Sequence, residues 1–129
     1  MNDSKTSEFV EVGTINDFPK GNGKRVMVDG HAVAIFERSG SYYAVEDSCS
    51  HQHAQLAHSA IEKDGYDLSI TCPRHGARFD LKTGRTLSLP AYRGIRKWNL
   101  KIENGKVLVD RKPMVDAAQE ILRLEVESR

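Results

Sequence analysis

Both cysteines of this 129-residue chain are followed within three positions by a histidine, as Cys49-Ser50-His51 and Cys72-Pro73-Arg74-His75, with twenty residues between the pairs. Each run offers a metal one soft thiolate and one imidazole. Two loops with two ligands apiece make a four-ligand site. The alternative, two buried thiols beside two surface histidines, leaves the matched pairing unexplained. A chain of this length can bury roughly two thirds of its unfolded surface around one core. One domain is therefore expected, and two cysteines make at most one disulfide.

Charge and hydropathy remove several function classes. The 19 Lys and Arg against 18 Asp and Glu leave a formal charge of +1, which gives no overall field for nucleic acid. The longest apolar runs fall far short of the ~20 residues that span a bilayer. Residues 1–8 are polar and mixed in charge, without the basic start and apolar stretch of a secretory signal, and are expected to form a flexible N-terminus. A soluble, cytoplasmic protein with reduced thiols is the expectation. No 20–50-residue repeat and no long Pro-rich or Gly/Ser-rich linker divides the chain.

The rest reads as short strands punctuated by turns. Phe9 to Val12 makes a first strand, and Arg25 to Val28 and His31 to Glu37 flank Asp29-Gly30, a tight hairpin turn. Ser39-Gly40 turns the chain into Ser41 to Val45. A second hairpin joins Ile95 to Ile102 with Val107 to Asp110 through Glu103-Asn104-Gly105-Lys106. Along it Trp98, Leu100 and Ile102 alternate with Lys97, Asn99 and Lys101, the period of an antiparallel sheet packed on one side. From Pro113 to Val126 the apolar spacing changes to three and four, which predicts an amphipathic helix within a C-terminal segment, residues 111–129.

A set of two cysteines and two histidines also serves tetrahedral zinc. Structural zinc sites usually segregate cysteine pairs from histidine pairs, however, and here each loop mixes them. The arrangement C-x-H followed at a distance by C-x2-H resembles the Rieske proteins, in which two cysteines bind one iron of a 2Fe-2S cluster and two histidines bind the other. The likeness extends through Gly76, Phe79-Asp80 and Thr83-Gly84, and takes in Leu56 of the first loop and Pro90 of a third. It covers residues 9–110. It implies Cys49 and Cys72 on the inner iron and His51 and His75 on the outer one. The implied fold is all-β, a Rieske-like antiparallel sandwich with a small cluster-binding subdomain inserted at about 46–87, and the C-terminal helix is an appendage.

Replacing two thiolates by neutral imidazoles removes two negative charges, which is why such clusters lie at about −150 to +300 mV against roughly −400 mV for plant-type ones. High-potential Rieske proteins carry an extra cysteine in each loop, which pair to brace the cluster. Here Arg74 separates Pro73 from His75 and the first loop runs on as Gln52-His53-Ala54, so no such disulfide can form. Those relatives also carry a serine and a tyrosine that donate to cluster sulfur, where this chain has Ala77 and Phe79. A low potential, about −150 mV, is expected.

Three histidines are left over. His53 is a poorer match to C-x-H than His51. His53 and His58 have the H-x4-H spacing of mononuclear iron oxygenases, but Ser50 stands where an acid would precede them. His31, beside a turn, reads as a boundary residue. From Arg74 to Lys101 eight basic residues face one acid, Asp80, which marks either solvated faces or a docking surface for an acidic partner in which Arg74 and Arg78 flank His75. The resemblance implies a one-electron carrier, not an enzyme. Electrons would pass from an NAD(P)H-dependent flavoprotein reductase to a terminal oxygenase, with neither nucleic acid nor membrane involved. Two rival readings are the small subunit of an NAD(P)H nitrite reductase and a Cys/His metal-binding redox sensor.

Overall fold

A computed structural model describes residues 8–48, 55–64, 67–74, 76–88 and 94–114. Nine strands run in the order β1 (Phe9–Thr14), β2 (Gly23–Val28), β3 (His31–Arg38), β4 (Ser41–Glu46), β5 (Ile61–Asp64), β6 (Asp67–Thr71), β7 (Arg78–Asp80), β8 (Lys97–Glu103) and β9 (Lys106–Pro113). Six form one antiparallel sheet, ordered β1-β9-β8-β4-β3-β2, and β5-β6-β7 form a second. All three strands of the second sheet fall between β4 and β8 in the chain, so the smaller sheet is an insert. The expected all-β architecture is thus present.

Local chemistry sets the hairpins. Val28 pairs with His31, Arg38 with Ser41 and Glu103 with Lys106, each closing a two-residue turn. Both central residues have positive φ in every case: 51° and 84° at Asp29-Gly30, 53° and 84° at Ser39-Gly40, 50° and 75° at Asn104-Gly105. That conformation matches the right-handed twist of the flanking strands, and glycine adopts it without steric cost.

The six-stranded sheet separates two cores. Val33, Ile35, Ala44, Trp98, Val107 and Val109 pack on one side with Phe18 and Val28. Ala34, Phe36 and Val45 face the other way, against Leu56, Leu68, Ile70, Phe79, Leu81 and Ile95 of the insert and its flanks. Neighbours along β3 therefore serve opposite cores, and the unbroken run Val33 to Phe36 is 0% exposed throughout. A strand covered on both faces has no polar alternation to show. β1 and β2, at opposite ends of the hydrogen-bonded order, also touch, so the sheet curls round its inner core.

Two boundaries and one alternation differ from the sequence reading. Glu8, placed in a flexible N-terminus, accepts the Arg111 N–H at 2.9 Å on its carbonyl and meets Arg111 Nη1 at 2.6 Å through its side chain. At the other end, β9 runs through Arg111 to Pro113, and Met114 N–H donates to Lys97 O at 2.8 Å. Pairing with β8 holds these residues extended, so Pro113 ends a strand and does not open a helix. The rest of the helix expected up to Val126 lies outside the described residues. The alternation along β8 holds at Trp98 and Leu100 but fades at Ile102, which is 40% exposed near the strand end.

Candidate metal centre

The second Cys/His run forms the turn of the β6–β7 hairpin. Thr71 pairs with Arg78, and beyond them Cys72 N–H donates to Ala77 O at 2.7 Å. Gly76 N–H then reaches back to Cys72 O at 3.1 Å, leaving Pro73 and Arg74 exposed at the tip. Cys72 itself is 1% exposed and free, and it belongs to the apolar core that contains Leu56, Ala77 and Phe79. A thiol held at the mouth of a tight loop, with no sulfur partner, suits metal ligation better than bridging. Cys49, His51, His53 and His75 lie outside the described residues, and among the described residues no three His, Cys, Asp or Glu side chains converge on one point.

What the structure does show is how the loops that carry those residues are anchored. Residues 49–54 lie between β4 and the described segment that starts at Gln55. Across that interval Asp47, 2% exposed, accepts the N–H groups of Leu56 at 2.6 Å and Ala57 at 2.8 Å on one oxygen, Oδ1. Its own N–H donates to Ala32 O at 3.0 Å, which ties the start of the loop to β3. Leu56 is fully buried in the same core as Cys72, so the exit of the first loop is packed with the second.

The third loop, residues 89–93 with Pro90, also lies outside the described residues, but both of its flanks are fixed. Ser88 Oγ accepts the Arg78 N–H at 3.1 Å, beside the second loop. On the far flank Ile95 N–H donates to Gly84 O at 2.7 Å. There the backbones cross so closely that a Cβ at Gly84 would lie 2.2 Å from Ile95 O, and one at Gly94 2.2 Å from Gly84 O. The Thr83-Gly84 turn is shaped by Asp80, whose Oδ2 accepts Thr83 N–H at 2.9 Å and Thr83 Oγ1–H at 2.7 Å. These are the residues that carried the sequence resemblance downstream of His75, and their role is to support the loops.

The described members of the basic run sit in different surroundings. Arg74 is exposed at the loop tip, whereas Arg78 Nη2 donates to Ser69 Oγ at 3.2 Å and its Nε lies 4.0 Å from Glu62. Lys82 and Lys97 line a groove of about 350 Å³ between β4 and β8, alongside Tyr42, Tyr43 and Leu100. Lys101 sits 3.4 Å from Glu103 and over the Phe9 ring. His58 is exposed, and His31 packs 5.8 Å from the Trp98 ring in the base sheet. Sequence reasoning missed Asp47. The available signal was an acid at the end of an apolar strand, two positions before Cys49.

Comparison with known proteins follows the same outline. The ferredoxin component of the naphthalene 1,2-dioxygenase/salicylate 5-hydroxylase systems of Ralstonia sp. is 32% identical over 104 residues, 81% of this chain and 96% of that protein. The ferredoxin of carbazole 1,9a-dioxygenase from Nocardioides aromaticivorans IC177 superposes with a TM-score of 0.74 at 30% identity, covering 82% of this chain and all of that one. A Mycobacterium tuberculosis protein assigned as an NADH-dependent nitrite reductase small subunit superposes with a TM-score of 0.76 at 20% identity, covering 83% and 97% of the two chains, and shows the shared fold alone. The model of the Rieske-like 2Fe-2S domain matches residues 8–110, and the chain belongs to that family.

Proposed function

We propose that this protein is a one-electron carrier, the ferredoxin component of a multicomponent oxygenase system, with Cys49, His51, Cys72 and His75 holding a 2Fe-2S cluster. The observation that supports it most is Cys72: a buried, unbridged thiol at the mouth of a tight hairpin loop, packed with the exit of the loop that carries the other cysteine. Two soft thiolates and two neutral imidazoles suit the ferric and ferrous states of such a cluster, and among the described residues no other group of His, Cys, Asp or Glu gathers to hold a metal. When bound, the cluster supplies one-electron storage without bond-making at the protein. The chain's own residues hold its loops, exclude water from the thiolate side through Leu56, Ala77 and Phe79, and leave Pro73 and Arg74 exposed beside His75. The partners are then a flavoprotein reductase as donor and a terminal oxygenase as acceptor. Among the described residues no helix is long and apolar enough to cross a membrane, in keeping with a cytoplasmic carrier.

Visible absorption and EPR of the dithionite-reduced protein test this reading directly. Wild type is expected to be coloured and to give a rhombic reduced signal, while Cys72→Ser loses both. Colour retained in Cys72→Ser refutes the ligand set, and a colourless wild type reconstituted with iron and sulfide refutes the cluster. Ala77 and Phe79 are each 0% exposed and neither side chain can donate a hydrogen bond. The midpoint is accordingly set near the low limit, about −150 mV. The pair Ala77→Ser and Phe79→Tyr is expected to raise it by voltammetry, and an unchanged or lower value would show that these positions do not face the sulfurs.

A further inference from the structure

Asp47 stands out among the side chains that the ligand assignment does not use. It is buried, it lies two residues before Cys49, and its carboxylate spans the nine-residue interval to Leu56 by accepting two successive backbone N–H groups. Two peptide steps limit its Cα to about 7 Å from that of Cys49. Its second oxygen, Oδ2, is buried without a hydrogen bond and lies 3.4 Å from Arg25 Nη1 of β2. β2 touches the same place again at Gly23, where an added Cβ would stand 2.4 Å from Ala57 O. The edge strand of the base is therefore pressed against the exit of the first ligand loop, with a charge pair set into the contact.

A carboxylate taken out of water needs compensation, and here it comes from two N–H dipoles and one guanidinium. The same negative charge opposes addition of an electron nearby, and Arg25 offsets it. We propose that Asp47 is the positioning residue of the first ligand loop, and that the Asp47–Arg25 pair sets how readily the centre accepts its electron. This rests on the cluster reading given above.

Glu37 provides an internal control. It is 3% exposed and likewise accepts two backbone N–H groups, from Gly21 at 2.6 Å and Gly40 at 2.9 Å, but it braces turns of the base and no ligand loop. The experiment compares Asp47→Asn, Arg25→Met and Glu37→Gln in the full chain, by voltammetry, reduced EPR and amide hydrogen exchange. Asp47→Asn keeps an acceptor but removes the charge, so its midpoint is expected to rise. Arg25→Met leaves the charge uncompensated, so its midpoint is expected to fall. A tenfold change in the reduction equilibrium corresponds to about 59 mV. Asp47→Asn is further expected to speed exchange at the Leu56 and Ala57 amides, whereas Glu37→Gln changes neither the midpoint nor these amides. Shifts of the same sign in Asp47→Asn and Arg25→Met, or no shift in either, overturn the charge role. Unchanged exchange at Leu56 and Ala57 overturns the positioning role, and that readout does not depend on the cluster. A wild type without a 2Fe-2S signal would count against the cluster reading instead.

Discussion

The six-stranded base and the three-stranded insert are held together in different ways. In the base, strands of six to eight residues pair along their length, three of the pairs through two-residue turns, and β3 together with Ala44-Val45 of β4 is buried on both faces. In the insert the strands have four, five and three residues, too short to fix their own geometry. Single polar side chains do so instead: Asp47 on Leu56 and Ala57, Asp80 on Thr83, Ser88 on Arg78. In the base, burial spreads the support over many apolar contacts. The insert has less of that redundancy, and the flanks of its loops depend on these few polar contacts.

The comparison breaks most severely if the shared sheet is disrupted. Trp98 is 1% exposed in the inner core and lies on β8, which pairs with β4 and β9. Trp98→Ala is expected to cost about 3–5 kcal/mol. Chemical denaturation followed by tryptophan-independent probes, such as far-UV circular dichroism, should show base and insert lost in one transition. Separate transitions would mean that the insert folds on its own.

A smaller and more local effect is expected where the third loop is anchored. Gly84→Ala adds a Cβ 2.2 Å from Ile95 O at a residue with φ of +80°, so both the backbone and its neighbour must shift. A loss of about 2–4 kcal/mol is expected in thermal unfolding. Faster amide exchange should be confined to Ile95 and the Asp80–Gly84 turn, and equal loosening of the β2–β3 hairpin would contradict the division between the two regions.

The smallest effect sharpens the comparison through pH. The N–H groups of Gly40 and Gly21 hold the Glu37 carboxyl below its ordinary value of 4.5, with lesser help from Lys20 and Arg38. A carboxylate stabilised in the folded state contributes above its unfolded value and ceases to contribute as the pH falls through its folded one. Glu37→Gln is therefore expected to lower stability by about 1–3 kcal/mol at neutral pH. Its gap to wild type should close as the pH drops below 4.5, in denaturation series run from pH 7 to pH 3. A gap of constant size would show that the side chain acts by shape and not by charge.

The same contrast explains what could be read from the residues alone. Asp29-Gly30, Ser39-Gly40 and Asn104-Gly105 announced their hairpins, because positive φ at both central positions is a local demand that few residue pairs meet. The pairing of Cys with His in each of two runs pointed to the metal chemistry, since ligand type is carried by the side chain itself. The strands of the insert were legible only as an interval between hairpins. The contacts that hold their flanks, from Asp47 to Ala57 and from Ser88 to Arg78, each join residues ten apart, and no periodicity records them.

By itself, the sequence determined the all-β class and the positions of the tight turns, and it nominated the four side chains proposed as cluster ligands. These depend on φ preferences, alternation and donor chemistry, all properties of residues and their near neighbours. Tertiary structure alone decided that β3 serves two cores and that Arg74, the Lys82–Lys97 pair and Lys101 stand at a loop tip, in a groove and near a strand end. It also decided that strand pairing carries Arg111 to Pro113 along β8 and that Asp47 of one loop meets Arg25 of an edge strand. The physical reason is common to all of these. Each is fixed by which distant segment packs opposite, and burial and charge compensation become properties of a residue only when that segment arrives.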